Sequence, residues 1–300
     1  MTVALIIAAG KAREKRQFEP GKKVGDMSAI KRCIRTFQQA GVERVVVCGD
    51  DEDRIEKLAP HMNVTFLRCP KHGEMLNSVK AGLAFLQGKC ASVLIVHTDI
   101  PLFSVDTVHR LLEAAGELCI PVHHGQPGHP IRMGAALIPQ ILSYQGGGGL
   151  AGAIRASGVG RVMLEVEDEG VLAHIQDDVA CEHVLSRWKE SLSPAFRFQL
   201  MREQPFYGPG AHQLLQLTKE TGSLLDACRC MGISYTKGRK IIFNLEQNMG
   251  CPILERIRGG KAGGMSTVTP AGQALIDNYN KFCKAAEAYL TELFYEIFSP

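Results

Sequence analysis

Short apolar runs alternate with segments of helical periodicity along the first 185 residues of the chain. Runs at 3–8, 44–48, 64–68 and 93–97 have strand length and β-branched content. Residues 28–40, 51–58, 75–86 and 104–115 repeat their apolar positions every three or four residues, which predicts helices. Further strands are predicted at 118–122, 133–137 and 161–166, and a closing helix at 177–188. Strand–helix alternation of this kind implies an α/β fold, a parallel sheet wrapped by helices with ligands at the carboxyl ends of its strands. A polar stretch containing Pro194 and Pro205 follows. It divides the chain into a domain at 1–190, a linker at 191–206 and a second domain at 207–300.

The pattern then changes to short helices with marked ends. Ser223 is placed to cap a helix whose apolar positions are Leu224, Leu225, Ala227, Cys228 and Met231, and Gly232 ends it. Ser234 caps the next, which runs over 235–249 until Gly250. Two such helices around a tight turn predict a helix-turn-helix, whose second helix enters the major groove of DNA. Its polar face carries Thr236, Lys237, Arg239 and Lys240, while Ile241, Ile242, Phe243 and Leu245 are expected to pack inward. Two strand-like runs then flank a glycine-rich tip containing Arg258 and Lys261, a hairpin placed like a wing to touch phosphates. From Pro270 a long final helix carries a stripe of Leu275, Tyr279, Phe282, Ala286, Tyr289, Leu293 and Phe294. A stripe this long, on so small a domain, predicts a homodimer seam.

Charge sharpens that picture. The 300 residues carry a formal net charge of only +3, so no overall basic field points to nucleic acid. From Arg229 to Lys261, however, seven Lys and Arg face only Glu246 and Glu255, a local excess larger than that of the whole chain. The ten cysteines include no Cys-x-x-Cys pair and read as small buried hydrophobes of a reducing compartment. The opening apolar run is a short strand ending in glycine, and no run approaches a membrane span. The expected location is the cytoplasm, without a membrane partner.

Candidate chemistry gathers at the predicted strand ends. After the first strand, Ala8-Ala9-Gly10-Lys11 opens a basic, glycine-containing loop suited to phosphate. It matches neither GxGxxG nor the P-loop pattern. Ser78 lies in the first turn of a predicted helix, and Asp99 follows the fourth strand, where a lone carboxylate suits Mg²⁺ beside a triphosphate. His123, His124 and His129 crowd one loop, but adjacent side chains on an extended chain point apart and imply no shared ligand.

In this order the segments Ile6-Ile7-Ala8-Ala9-Gly10, 73–83, His97-Thr98-Asp99-Ile100-Pro101 and Gly128-His129-Pro130 resemble the Rossmann-like nucleotidyltransferases of molybdenum-cofactor maturation, the MobA/MocA-like cytidylyl- and guanylyltransferases. The resemblance implies that Ala8, Ala9, Gly10, Lys11, Ser78 and Asp99 bind the nucleotide, with Asp99 as the Mg²⁺ ligand. Where that family places cations this chain carries Glu14 and Glu19, and Gln176 or Asp177 falls where the family carries a second metal-binding Asp. These departures predict ligand binding that survives better than turnover. The stretch 221–279 is similar to the winged-helix domain of molybdate-dependent regulators of the ModE type. That likeness implies DNA contacts from Ser234, Thr236, Lys237, Arg239, Lys240, Arg258 and Lys261. Together the resemblances predict a DNA-binding transcriptional regulator whose N-terminal domain senses a nucleotide or pterin-type ligand. The alternative is a working CTP- or GTP-dependent molybdenum-cofactor nucleotidyltransferase with a DNA-binding appendage.

Overall fold

A computed structural model describes residues 1–8, 21–49, 55, 57–59, 62–69, 75–187, 194–257 and 265–298. Ala9, Gly10, Lys11, Glu14, Glu19, Arg258, Lys261 and most of the helix predicted at 51–58 lie outside the described residues. The chain forms two compact units, Met1–Glu190 and Ser191–Pro300.

The first unit is built on an eight-stranded sheet. Its strands are β1 (Thr2–Ile7), β4 (Arg44–Gly49), β5 (Thr65–Arg68), β6 (Ser92–His97), β7 (Leu118–His123), β8 (Gln126–Pro127), β9 (Ile131–Gly134) and β10 (Val162–Glu165). A separate small ribbon pairs β2 (Lys23–Val24) with β3 (Met27–Ser28). The helices of the unit include α1 (Ala29–Gln39), α2 (Met75–Leu86), α3 (Val105–Glu113), α4 (Ile138–Ser143), α5 (Gly149–Ala156) and α6 (Asp178–Arg187).

Alternate residues of each central strand face opposite cores. Ala4 and Ile6 of β1 pack with Leu94 and Val96 of β6 against Ile30, Phe37, Val108 and Leu111 of α1 and α3. Val3, Leu5 and Ile7 pack with Val93 and Ile95 against Val79 and Leu83 of α2 and Ile141 of α4. Burial on both faces explains why these strands read as unbroken apolar runs.

The sheet order is β10-β7-β9-β6-β1-β4-β5, with β8 paired to β7. It is mixed rather than parallel throughout, because β9 runs antiparallel to both β6 and β7. Its chain direction follows from a tight β7–β8 hairpin, in which His124 and Gly125 have positive φ (50° and 76°) and reverse the backbone in two residues. The strand predicted at 133–137 is accordingly shifted to Ile131–Gly134, and residues 135–137 form a single turn of 3₁₀ helix.

The second unit is mainly helical: α7 (Pro209–Thr221), α8 (Leu224–Cys230), α9 (Tyr235–Met249) and α10 (Pro270–Phe298), with a hairpin of β13 (Leu254–Ile257) and β14 (Met265–Val268). The stretch read as a linker contributes to this unit. Within it β11 (Leu200–Met201) pairs with β12 (Pro205–Tyr207), and Phe198 meets Phe282 of α10 edge-on at 5.5 Å. The prolines of this segment obscured an alternation of aromatic residues that is buried in part. Tyr207, His212 and Tyr279 form an aromatic cluster in which the Tyr207 hydroxyl lies 2.8 Å from His212 Nδ1.

Both predicted serine caps form: Ser223 Oγ accepts from Asp226 N and Ser234 Oγ from Lys237 N, each at 3.2 Å. Helices α8 and α9 pack closely at Gly238, where an added Cβ would lie 2.2 Å from the buried Cys228 Sγ. Gly238→Ala is therefore expected to destabilise the second unit by about 1–3 kcal/mol, the usual cost of overpacking, despite alanine's better helix propensity. Adding Cys228→Ala should recover most of that loss. Chemical denaturation of the single and double variants checks it, and equal stability of Gly238→Ala and the parent would refute it.

Candidate functional site

The carboxyl end of β6 and its neighbours gather the polar groups of the first unit. His97 is the last residue of β6, and Thr98 N donates to Ile7 O (3.1 Å) across to β1. Ala8 follows β1, is 1% exposed, and donates its N–H to Cys48 O at 2.7 Å. The antiparallel register of β6 and β9 brings His129, just before β9, beside His97, with the rings edge-on at 5.3 Å. Ser78 lies in the first turn of α2 and is buried, at 4% exposure.

Asp99 lies at the centre of this edge. Ile175 N donates to Asp99 O (2.8 Å), which docks the 174–177 segment onto the loop after β6. His174 Nδ1 thereby comes to 3.4 Å from Asp99 Oδ2. Lys22 holds the same segment from its other side, donating to Ile175 O and pairing with Asp178 Oδ1 at 2.7 Å.

Neither Gln176 nor Asp177, which fall where the family carries a second metal-binding Asp, turns to Asp99. Gln176 is exposed, and Asp177 Oδ1 accepts from Ala180 N (2.9 Å), capping α6. The segment was found from the sequence, but the residue it presents is His174. The docking bond falls on Ile175, so the preceding side chain meets Asp99.

Burial alone would raise the Asp99 carboxyl. The His174 imidazole 3.4 Å away, with the positive charge of His97 and His174, outweighs it and holds Asp99 below the ordinary range, so the group is ionised at neutral pH. His174 is raised by the same contact with Asp99, against the effect of its own burial. His97 is lowered by burial, and His129 is lowered to about 4, by burial first and then by repulsion from His97. Asp99 Oδ1, His97 Nδ1, His129 Nδ1 and Thr98 Oγ1 are all buried without a hydrogen-bond partner. Orphaned buried acceptors of this kind need an explanation such as a ligand or ion. Asp99 Oδ1 therefore fits a divalent cation, with one carboxylate oxygen turned to His174 and the other unsatisfied.

In the second unit, Ser234, Thr236, Lys237, Arg239 and Lys240 are exposed on α9, and Ser234 spends its hydroxyl on the cap. Ile242 and Leu245 pack inward as expected, whereas Phe243 is 62% exposed and lies on the outer face with Arg239 and Lys240. These three line a cleft of about 820 Å³ with Glu246 and Gln247. Glu246 Oε1 accepts from Ile253 N (3.1 Å) and Leu254 N (3.2 Å), tying the hairpin to α9. Along α10 the apolar stripe divides: Leu275 and Tyr279 are buried in their own unit, Ala286, Leu293 and Phe294 are half-buried, and Phe282 and Tyr289 are 50% and 66% exposed. Among the described residues no helix is long and apolar enough to cross a membrane, and none of the ten cysteines is in a disulfide.

A mixed α/β sheet with its polar groups at the strand carboxyl ends, joined to a helical C-terminal part, defines a nucleotidyltransferase-type fold. The chain belongs to the MobA-like NTP transferase domain family, whose model matches residues 4–162. It is similar to the Molybdenum cofactor cytidylyltransferase of Escherichia coli (strain K12), 28% identical over 89 residues, 29% of this chain and 45% of that protein. A shorter similarity, 36% over 66 residues, relates it to the Molybdenum-pterin-binding protein MopB of Rhodobacter capsulatus, covering 22% of this chain and 24% of that one. The chain thus spans less than half the length of each of these curated relatives. Among solved structures, a nucleotidyl transferase from Methanothermobacter thermautotroptrophicus shares the fold, with a TM-score of 0.54 and 19% identity, over 62% of this chain and 99% of that one.

Proposed function

We propose that the first unit is a nucleotidyltransferase that joins a nucleotide from CTP or GTP to a pterin-type acceptor of the molybdenum cofactor. The observation that carries this reading is the ionised Asp99 with its unsatisfied Oδ1, set at the carboxyl end of β6 in a MobA-like fold. The similarity to a molybdenum cofactor cytidylyltransferase supports the acceptor class. It also favours a working transferase over a domain that only senses its ligand, so the alternative reading of the sequence becomes the main one. Ala8, Ala9, Gly10, Lys11 and Ser78 would bind the nucleotide, and Asp99 would hold a divalent cation such as Mg²⁺. Such an ion, when bound, supplies the positive charge that bridges the phosphates and the leaving pyrophosphate. Asp99 would orient it from the buried carboxyl end of β6. Pyrophosphate release from CTP or GTP with a pterin acceptor tests the proposal. Nucleotide binding with no release in the presence of acceptor and divalent ion would return the first unit to a sensor.

The second unit is read as a winged helix-turn-helix that binds double-stranded DNA and regulates transcription. What supports this is the serine-capped α9, whose first two turns expose Lys237, Arg239 and Lys240, followed at once by an antiparallel hairpin. None of these three cations has a recorded ion-pair partner among the described residues. Lys240→Ala should weaken binding to all sequences alike and lower the log–log salt slope by about 0.9. Arg239→Ala should relax specificity at a cost of about 1–3 kcal/mol. A salt titration on the protein's own promoter checks both, and unchanged binding in both variants would eliminate this surface.

The uncovered half of the α10 stripe supports a homodimer, which suits an operator of two half-sites. Tyr289 is a better probe of this seam than Phe282, which already packs against Phe198. Sedimentation at micromolar concentration should find a dimer for the parent and a monomer for Tyr289→Asp; a monomeric parent protein would end the idea.

A further inference from the structure

The segment after Val171 does more than close the first unit. It presents an imidazole to Asp99 where the family carries a second metal-binding Asp, and the backbone next to that imidazole is held from two sides. Ile175 N donates to Asp99 O at 2.8 Å, and Lys22 binds Ile175 O together with Asp178. His174 Nδ1 and Asp99 Oδ2 are 3.4 Å apart. That is longer than a good N–H···O bond, which spans about 2.7–3.2 Å. It is, however, the separation of two ligands on one ion. Donors at about 2.1 Å from a common metal are about 3.0 Å apart at a right angle and about 3.4 Å apart at the tetrahedral angle. The carboxylate's other oxygen is buried and unsatisfied, so Asp99 has coordinating capacity beyond its contact with His174.

We propose that His174 and Asp99 together hold the divalent ion of this site, and that the imidazole selects an ion accepting nitrogen, of the Mn²⁺, Co²⁺ or Zn²⁺ class, over Mg²⁺. The proposal rests on the reading of Asp99 as the residue that holds the ion. Carboxylate, carbonyl and water ligands suit Mg²⁺, whereas imidazole suits transition ions. Asp177 is occupied in capping α6 and Gln176 offers only a neutral amide, so neither adds the second carboxylate that would favour Mg²⁺. Among the described residues no three His, Cys, Asp or Glu side chains are gathered to hold a metal. With two protein ligands, the ion completes its shell with phosphate oxygens and water, and binds tightly only together with the substrate.

The test uses the full chain with Mn²⁺ and inorganic triphosphate, a probe without nitrogen of its own. Pulsed electron paramagnetic resonance should detect a ¹⁴N coupling from one imidazole on the bound Mn²⁺. The coupling should vanish in His174→Ala and in His174→Asp. His174→Asp, with two carboxylates, should also shift the Mn²⁺-to-Mg²⁺ ratio of dissociation constants by at least about tenfold in favour of Mg²⁺. Mn²⁺ bound without any ¹⁴N coupling, yet lost in Asp99→Asn, would overturn the role of His174 and leave the Asp99 reading standing. A coupling that persists in His174→Ala would assign the imidazole to another residue, such as His97, and overturn the proposal as well. Mn²⁺ binding that is absent, or unaffected by Asp99→Asn, would overturn both.

Discussion

Replacing Asp99 by Asn is expected to reduce divalent-ion-dependent nucleotidyl transfer by on the order of 10²–10³-fold. The ion's bridging charge is worth several kcal/mol in the transition state, and each tenfold in rate is about 1.4 kcal/mol. Asn matches Asp in shape and leaves the backbone acceptor for Ile175 N in place, so the 174–177 segment should stay docked. What disappears is the charge, which the His174 contact and the positive potential of His97 and His174 keep on Asp99 despite its burial. Because the loss acts where charge develops on the leaving pyrophosphate, it should fall on kcat more than on KM for the nucleotide. Release of pyrophosphate from CTP and from GTP, measured with unfolding midpoints of both proteins, checks the expectation. A variant that folds normally and turns over at the parent rate would remove Asp99 from the site.

The strands of the first unit were legible because burial on both faces writes continuous apolar runs. Val3, Leu5 and Ile7 serve one core while Ala4 and Ile6 serve the other, so all five had to be apolar. The placement of β9 was not legible. Its antiparallel pairing between β6 and β7 is a non-local choice, fixed by the β7–β8 hairpin rather than by the composition of residues 131–134. In the second unit the caps at Ser223 and Ser234 were readable because a cap is a local chemical event. The inward face of α9 was read one residue too wide: Ile242 and Leu245 are buried, but Phe243 projects beside Arg239 and Lys240. Periodicity marks a face without setting its edges. The stripe along α10 has the same limit, since nothing local says that coverage ends between Tyr279 and Phe282.

The candidate site divides along the same line. Asp99 was recognisable as a lone carboxylate after an apolar strand, and the 174–177 segment as its neighbour. Choosing among His174, Gln176 and Asp177 required knowing that the docking bond falls on Ile175. Sequence spacing does not carry that register. His129 was noted only as one histidine of a crowded loop. In the fold it separates from its neighbours: His123 Nδ1 bonds Val166 O at 2.9 Å, whereas His129 turns inward to meet His97.

That inward turn carries the last prediction: the first unit should lose stability as pH falls from 6.5 towards 4, and His129 should account for much of the loss. Burial is the main cause of its depressed value of about 4, and repulsion from His97 adds to it; a hydrogen bond to the Ile95 backbone and the Asp99 charge act in the opposite direction. A histidine held neutral in the fold but titrating at its ordinary value when unfolded binds more protons unfolded throughout that interval. Its stabilisation is therefore complete above the unfolded value and is lost as pH falls through the folded one. At about 1.4 kcal/mol for each pH unit between the two states, the full effect is on the order of 3 kcal/mol, and the residue's partial exposure brings the expectation nearer ~2. Among the neighbouring groups, His97 is lowered by burial and adds to the trend. His174 is raised, so its contribution is fully present below 6.5 and does not change in this window. Asp99 is lowered, and its contribution is lost only below the ordinary carboxylate range. Denaturant unfolding of the full chain at intervals between pH 7 and 4 should therefore give a positive slope of stability with pH. His129→Gln, which keeps a polar side chain but cannot take up a proton, should flatten that slope. If the slope were the same in both proteins, the buried histidine would not be the group that makes this fold acid-sensitive.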